Sequence, residues 1–207
     1  MRRWRLPRAV ALLATMTIAI PAVLVEPTAA ASVSVAVTWT ALLHASKAAA
    51  VVTARESVSV WENGRIATYT RVEVDRGLAG DVPAREAWVR TLGGVVGHVG
   101  QIVEGEAVFA PGKRSLVFLC DGPSGAYDVT ARGQGQFPVV DDDDRAGPAH
   151  VIRSQSLGLI IAPRGVAPTS SQRGALKLAA DIVHGRTIDD VAAEVASAWS
   201  AAHAERP

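Results

Sequence analysis

Between residues 48 and 140, apolar and polar residues alternate over short stretches that are separated by glycine-containing turns. A period of two is typical of half-buried β-strands, because successive side chains point to opposite faces. Residues 49–61 and 66–75 flank the pair Asn63-Gly64, which favours the tight turn of a two-stranded hairpin. The pattern therefore predicts an antiparallel β region that starts with a long hairpin.

Shorter predicted strands follow this hairpin, and glycine or proline bounds most of them. They span residues 86–91, 101–103, 107–109, 115–120, 127–131 and 135–140, and a last hairpin joins 151–153 to 157–161. The glycine cluster at residues 93–100 indicates a bend or bulge between two strands, since glycine adopts backbone angles that other residues avoid. Short strands punctuated this densely favour a small closed or half-closed β-barrel, which we assign to residues 48–162.

In the C-terminal part of the chain the apolar residues recur with helical periodicity. This pattern predicts a linker followed by a helical hairpin over residues 163–207. The first helix is expected to begin at Ser170 or Ser171 and to end at Gly185. Thr187 caps the second helix, whose apolar stripe consists of Ile188, Val191, Ala192, Val195 and Trp199. We expect this hairpin to pack on the barrel, with a partner-binding surface anchored by Trp199 as the alternative.

Residues 1–31 have the layout of a secretory signal peptide. Four arginines precede an apolar stretch, and three alanines supply a cleavage pattern that ends at Ala31. Cleavage near Ala31 predicts a secreted or periplasmic protein, whereas an uncleaved segment would tether the protein to a membrane. Residues 32–47 then form a leader and a short helix, which Thr38 or Thr40 caps, and the alternative for residues 32–38 is a first strand.

The distribution of charge excludes one class of partner. The net charge of +1 for the whole chain includes +3 from residues 1–31, which leaves −2 on the remainder. No run of lysine or arginine interleaves with aromatic residues, so nucleic-acid binding is not expected.

No set of residues in the sequence forms a recognisable cofactor or catalytic motif. The five histidines do not have metal-ligand spacing, and the four contiguous aspartates at residues 141–144 lack the alternating acids of a calcium loop. The acidic pair Glu104 and Glu106 is explained by alternate positions on the wet face of a strand. Cys120 is the only cysteine and is expected to be a buried apolar residue rather than a reactive thiol. The sequence therefore predicts no metal and no cofactor.

Five residues are the candidates for a ligand surface, because aromatic side chains and open backbone can meet there: Trp61, Trp88, Gly93, Gly94 and His98. The alternative for both tryptophans is core packing, and for the glycine cluster a purely structural role. A hydrolase centred on His98 and a distant aspartate is a further alternative. It requires His98 within hydrogen-bond distance of a buried carboxylate or of Cys120, in a cleft.

The β region resembles a family of uncharacterised exported bacterial proteins that contain one small β-barrel. The residues that carry the resemblance are Gly64-Arg65-Ile66, Leu78-Ala79-Gly80, the glycines at 93, 94, 97 and 100, Phe109-x-x-Gly112, Val117-Phe118-Leu119 and Gln134-Gly135-Gln136-Phe137. More distantly, the succession is similar to the OB-type barrel of netrin modules and of metalloproteinase inhibitors of the TIMP type. The resemblance implies a small OB-like antiparallel barrel. Inhibition of metalloproteases does not follow, because the chain lacks the cysteine framework and the zinc-chelating N-terminal cysteine of the TIMP modules.

These observations lead us to expect a mainly β protein with some α structure, an OB-like barrel followed by a C-terminal helical hairpin. The expected function is that of an exported, non-enzymatic binding or interaction module, with a protein partner in the cell envelope.

Overall fold

The computed structural model describes residues 33–141, 147–157, 159–161 and 178–204. The strands are β1 (Val33–Val35), β2 (Ala48–Glu62), β3 (Arg65–Gly80), β4 (Glu86–Leu92), β5 (Gly94–Val96), β6 (Val99–Gln101), β7 (Arg114–Asp121), β8 (Tyr127–Val129), β9 (Gln136–Val140), β10 (His150–Val151), β11 (Leu159–Ile161) and β12 (Arg186–Thr187). The helices are α1 (Trp39–Ala45), α2 (Ala179–Val183) and α3 (Ile188–His203). The described part of the chain is therefore mainly β, as predicted.

The long hairpin predicted around Asn63-Gly64 is confirmed. β2 and β3 pair antiparallel from Glu62 opposite Arg65 to Ala48 opposite Gly80. Asn63 and Gly64 have φ angles of 49° and 77°, the left-handed values that a two-residue hairpin turn requires and that asparagine and glycine adopt most readily.

Five strands pair in a closed ring, which we call the strand ring. β2 pairs with β3 and β7, β3 with β4, and β8 with both β4 and β7. Four of these pairings are antiparallel, and the pairing of β4 with β8 is parallel. The sheet forks at β7, because its first residues pair with β9 and its last residues pair with β8. β9, β10 and β12 extend the sheet outside the ring.

Two hydrophobic cores lie on opposite faces of β2 and β7, because the side chains of these strands alternate. All five strands contribute to the ring core, which contains Ala48, Ala50, Val52, Val72, Val89, Ala107, Val117, Leu119 and Val129. The helix-side core joins the other face to the helices and contains Trp39, Leu42, Leu43, Ala49, Val51, Leu116, Phe118, Phe137, Val151, Ala179, Val183, Val191 and Val195.

The predicted caps of two helices are confirmed. The Thr38 side chain accepts a hydrogen bond from the backbone amide of Ala41, and Thr187 accepts one from Asp190. Helix α3 packs on the helix-side core as expected. Leu78 also packs there, because β3 continues to Gly80, beyond the predicted end of this strand at residue 75.

Two predicted elements after β4 are wrong. The glycine cluster forms a separate two-stranded hairpin of β5 and β6, because Gly97 turns the chain at φ 60°. Residues 107–109 form no strand but an irregular segment that Gln136 holds through its side-chain amide.

The predicted hairpin of residues 151–153 with 157–161 is also wrong. Val151 belongs to β10, which pairs with β9 and β12. β11 instead pairs parallel with β1, which settles residues 33–35 as a strand.

Several predictions fall outside the described residues. These are the signal peptide, the aspartates at 142–144, the linker at 163–168 and the predicted helix start at Ser170 or Ser171. Within the described residues, helix α2 covers only the end of the predicted first C-terminal helix. No helix in the described ranges has the length and apolar character needed to cross a membrane.

Candidate functional site

A groove of about 500 Å³ opens beside the β5–β6 hairpin. One wall is the start of β3 with the end of β4, the second is the hairpin itself, and the third is the irregular segment from residue 102 to residue 109. We call this feature the hairpin groove. Gly93 and Gly94 line it, so two of the five predicted site residues lie in one place.

The β5–β6 hairpin is held against β2 and β3 by a contact that only glycine allows. A Cβ at Gly94 would overlap the hydroxyls of Thr68 and Ser59, and Gly94 has a φ of 128°. The Thr68 hydroxyl donates to the Gly93 carbonyl at 2.6 Å. The side-chain carbonyl of Gln101 accepts from the Ile66 amide at 2.7 Å. These contacts fix the wall that the hairpin gives to the groove.

The inner face of β3 and β4 changes from aliphatic to hydroxyl side chains where it reaches the groove. Val72 and Val89 are fully buried in the ring core, and the next inward positions towards the groove are Thr70 and Thr91. Both threonines line the groove although they are only 3% and 7% exposed. None of the hydrogen bonds among the described residues involves the Thr70 hydroxyl. The Thr70 hydroxyl is not among the buried polar atoms that lack a partner, so it is open to water in the groove and can reach a ligand atom there.

Glu106 is the one titratable residue among those that line the groove. It is 7% exposed, and its Oε2 lies 3.8 Å from Nε of Arg132. Burial raises the pKa of the Glu106 carboxyl, while Arg132 and the backbone amides of Ala107 and Leu92 act in the opposite direction. The expectation that Glu104 and Glu106 share a wet strand face is wrong, because the segment is not a strand and only Glu104 is exposed.

Exposed apolar side chains form the rim of the groove. Val95, Ile102 and Val108 are 65%, 93% and 64% exposed. The buried amide of Gln136 bonds both the N–H and the carbonyl of Val108, at 2.8 and 2.6 Å. The rim therefore presents apolar surface from a fixed backbone, which is typical of a binding site.

The other three predicted site residues do not line the groove. His98 is exposed at the turn of the β5–β6 hairpin, and no hydrogen bond or ion pair of its side chain occurs among the described residues. Trp61 and Trp88 are 55% and 40% exposed, so core packing is the wrong interpretation for both. Trp88 lies opposite Arg71 on the face of β4 that points away from the ring core.

Cys120 is half-buried rather than buried as expected, and its environment is that of a structural residue. Its thiol donates to the carbonyl of Asp128 at 3.6 Å, and burial raises its pKa. A raised pKa leaves less thiolate, which is the reactive form. Among the described residues, no group of three or more histidine, cysteine, aspartate or glutamate side chains is placed to hold a metal ion.

Sequence reasoning missed the residues that give the groove its chemistry, Glu106, Thr70 and Thr91. The threonines occupy positions that read as ordinary strand residues, and the aliphatic-to-hydroxyl change along β3 is the signal that points to them. Glu106 stands between Gly105 and an apolar run from residue 107 to residue 109, which is an unusual place for a solvated acid.

Comparisons with family models, with curated proteins and with solved structures find no match to this chain. Its function is therefore inferred from the groove itself.

Proposed function

We propose that this protein is an exported, non-enzymatic binding module, built on an OB-like barrel, whose ligand occupies the hairpin groove. The hairpin groove is the observation that carries the proposal. It combines an apolar rim, a buried carboxylate and a hydroxyl that is open to the groove, and a ligand site needs both apolar surface and a few placed polar groups.

The strand ring supports the OB-like part of the proposal. Five strands that pair in a closed circuit and share one core match the size of an OB barrel, which is a five-stranded Greek-key barrel. The groove lies where the inner face of two of these strands reaches the surface.

The arrangement around His98 favours a binding module over a hydrolase. Hydrolysis by this residue needs a general base held by a carboxylate or paired with a nucleophile. Within the part of the chain that the structure describes, His98 has neither partner, and Cys120 bonds a backbone carbonyl instead.

Export rests on the sequence of residues 1–31. We propose that cleavage near Ala31 releases the protein into the periplasm or the medium, where a protein of the cell envelope is its partner. Intact-mass measurement of the protein from its own cells tests this step, and a membrane-fraction protein that retains Met1 would instead support a tethered form.

Affinity capture with matched variants tests the binding function. Purified wild type, Ile102→Asp and Trp88→Asp are each immobilised and exposed to an envelope extract from the source cells. We expect wild type and Trp88→Asp to retain the same protein, and Ile102→Asp to lose it, because Ile102 is on the groove rim and Trp88 is on the opposite face. Retention by all three variants would place the ligand surface elsewhere, and turnover of a screened ester or peptide by the wild type would replace the proposal with an enzyme.

A further inference from the structure

The charge of the hairpin groove suggests which ligand chemistry it accepts. Glu106 is its one titratable lining residue, so the groove carries a single buried negative charge when this carboxyl is ionised. The nearest cation, Arg132, lies at 3.8 Å, beyond hydrogen-bond distance, and half of its side chain is exposed. Burial affects the carboxyl more strongly than Arg132 does, so the ionised form lacks full compensation.

An ammonium group can compensate the negative charge of the ionised Glu106 carboxylate. It carries three N–H donors and no acceptor, whereas the groove offers acceptors: the Glu106 carboxylate and the Thr70 hydroxyl oxygen, which accepts no hydrogen bond among the described residues. A hydrogen bond to an ionised partner is about twice as strong as one between neutral groups. An anionic ligand would instead be repelled by Glu106.

The apolar rim indicates which chemical group of the ligand is attached to the ammonium group. Val95, Ile102 and Val108 are largely exposed around the groove, and covering them removes apolar surface from water. A ligand with a linear aliphatic stem would cover this rim while its charged end reaches Glu106. The side chain of lysine and a free alkylamine share this chemistry.

We propose that the hairpin groove binds an alkylammonium group, with Glu106 as its counter-ion, the Thr70 hydroxyl as a second acceptor and the apolar rim around its stem. The inference rests on the proposed binding function and names the chemistry of its ligand.

Calorimetric titration of the full chain at pH 7 tests the inference with three probes of equal length: n-hexylammonium chloride, 1-hexanol and sodium hexanoate. We expect hexylammonium to bind roughly tenfold or more tightly than hexanol, and hexanoate not to bind. Glu106→Gln should remove the preference for the cation. Glu104→Gln is the matched control, because it makes the same change of charge on an exposed residue of the same segment.

A second variant keeps the test decisive if Glu106→Gln does not fold. Arg132→Gln removes the cation that competes for Glu106, so hexylammonium should bind more tightly to it than to the wild type. Wild-type affinity should also rise with pH as Glu106 ionises. The charged groups that act on this carboxyl are Arg132 from the turn at Arg132–Gly135 and Asp128 from β8.

The outcomes separate the inference from the proposed function. Equal binding of hexanol and hexylammonium, or an unchanged preference in both Glu106→Gln and Arg132→Gln, overturns the ammonium inference and leaves the groove as an apolar binding site. No binding of any probe also overturns the ammonium inference, whereas the proposed binding function is decided by the capture experiment with Ile102→Asp. N-acetyl-lysine methylamide identifies the source: tighter binding than hexylammonium indicates a lysine of a polypeptide, and weaker binding indicates a free amine.

Discussion

The two cores on either side of β2 and β7 differ in the size of their side chains. The helix-side core holds Trp39, Phe118 and Phe137, whose rings make edge-to-face contacts at 5.7 and 6.2 Å between centroids. The fully buried residues of the ring core are alanine, valine and leucine. The distance between a sheet face and the helices that cover it can adjust to fit large rings. The distance between the inner faces of five paired strands is instead set by the pairing of their backbones. The two faces of β2 and β7 therefore pack against side chains of different size.

Neighbouring substitutions in β7 give the largest expected contrast between the two cores. Phe118→Ala should lower the free energy of unfolding by about 3–5 kcal/mol, because it leaves a large cavity between two other rings. Val117→Ala, which points into the ring core, should cost about 2 kcal/mol. Urea denaturation measures both, and equal losses would contradict the contrast.

The hairpin glycines test how the groove is attached to the ring. Gly94→Ala should cost about 2–3 kcal/mol, because a Cβ there overlaps two hydroxyls and the residue has a positive φ. Gly97→Ala should cost about 1 kcal/mol, since its positive φ is strained but no atom lies within 4 Å of the added carbon. The amide spectrum of residues 93–101 should shift widely in the first variant only. Similar spectra for both would show that the Gly94 contact does not hold the hairpin.

Substituting threonine for Val72 and valine for Thr70 tests whether the inner face of β3 changes from aliphatic to hydroxyl side chains for a structural reason. Val72→Thr should cost about 1–3 kcal/mol, because it buries a hydroxyl in the ring core. Thr70→Val should be neutral or stabilise the protein by about 1 kcal/mol, because it removes a hydroxyl that has no partner among the described residues. A large loss of stability in Thr70→Val would mean that this hydroxyl is bonded, and would weaken its assignment to a ligand.

The smallest expected effect is the pH dependence that Glu106 confers. Its pKa is raised in the folded state, so its contribution to stability is fully present below about pH 4.5, the unfolded value, and is lost as pH rises through the folded pKa. Glu106→Gln should flatten this part of the profile of urea midpoint against pH, and the Glu104→Gln control should not. A profile that keeps its slope in Glu106→Gln would assign the effect to another group.

Local signals in the sequence were sufficient for much of the fold. The Asn63-Gly64 turn and the caps Thr38 and Thr187 each depend on residues within three positions, and all are confirmed. The parallel pairings of β4 with β8 and of β1 with β11 join distant segments, and no local pattern encodes them.

The candidate site was less predictable, because its chemistry depends on burial. Gly93 and Gly94 were found through their backbone freedom. Glu106 was assigned to a wet face because alternation is the only guide to exposure in a sequence, and the segment turned out to be irregular. Trp88 was placed with the glycines. It lies on the opposite face, because side chains alternate along β4 and the next residue, Val89, points into the ring core.

The fork of the sheet at β7 has a consequence for the order of folding. The β2–β3 hairpin closes over two residues, whereas the parallel link of the ring pairs Val89 with Tyr127, which is far away in the chain. Closing a short loop costs less chain entropy than closing a long one. We therefore expect pulse-labelled hydrogen exchange to protect the amides around Ser59 and Thr68 before those of β8, so that the interior is sealed only in the final stage of assembly.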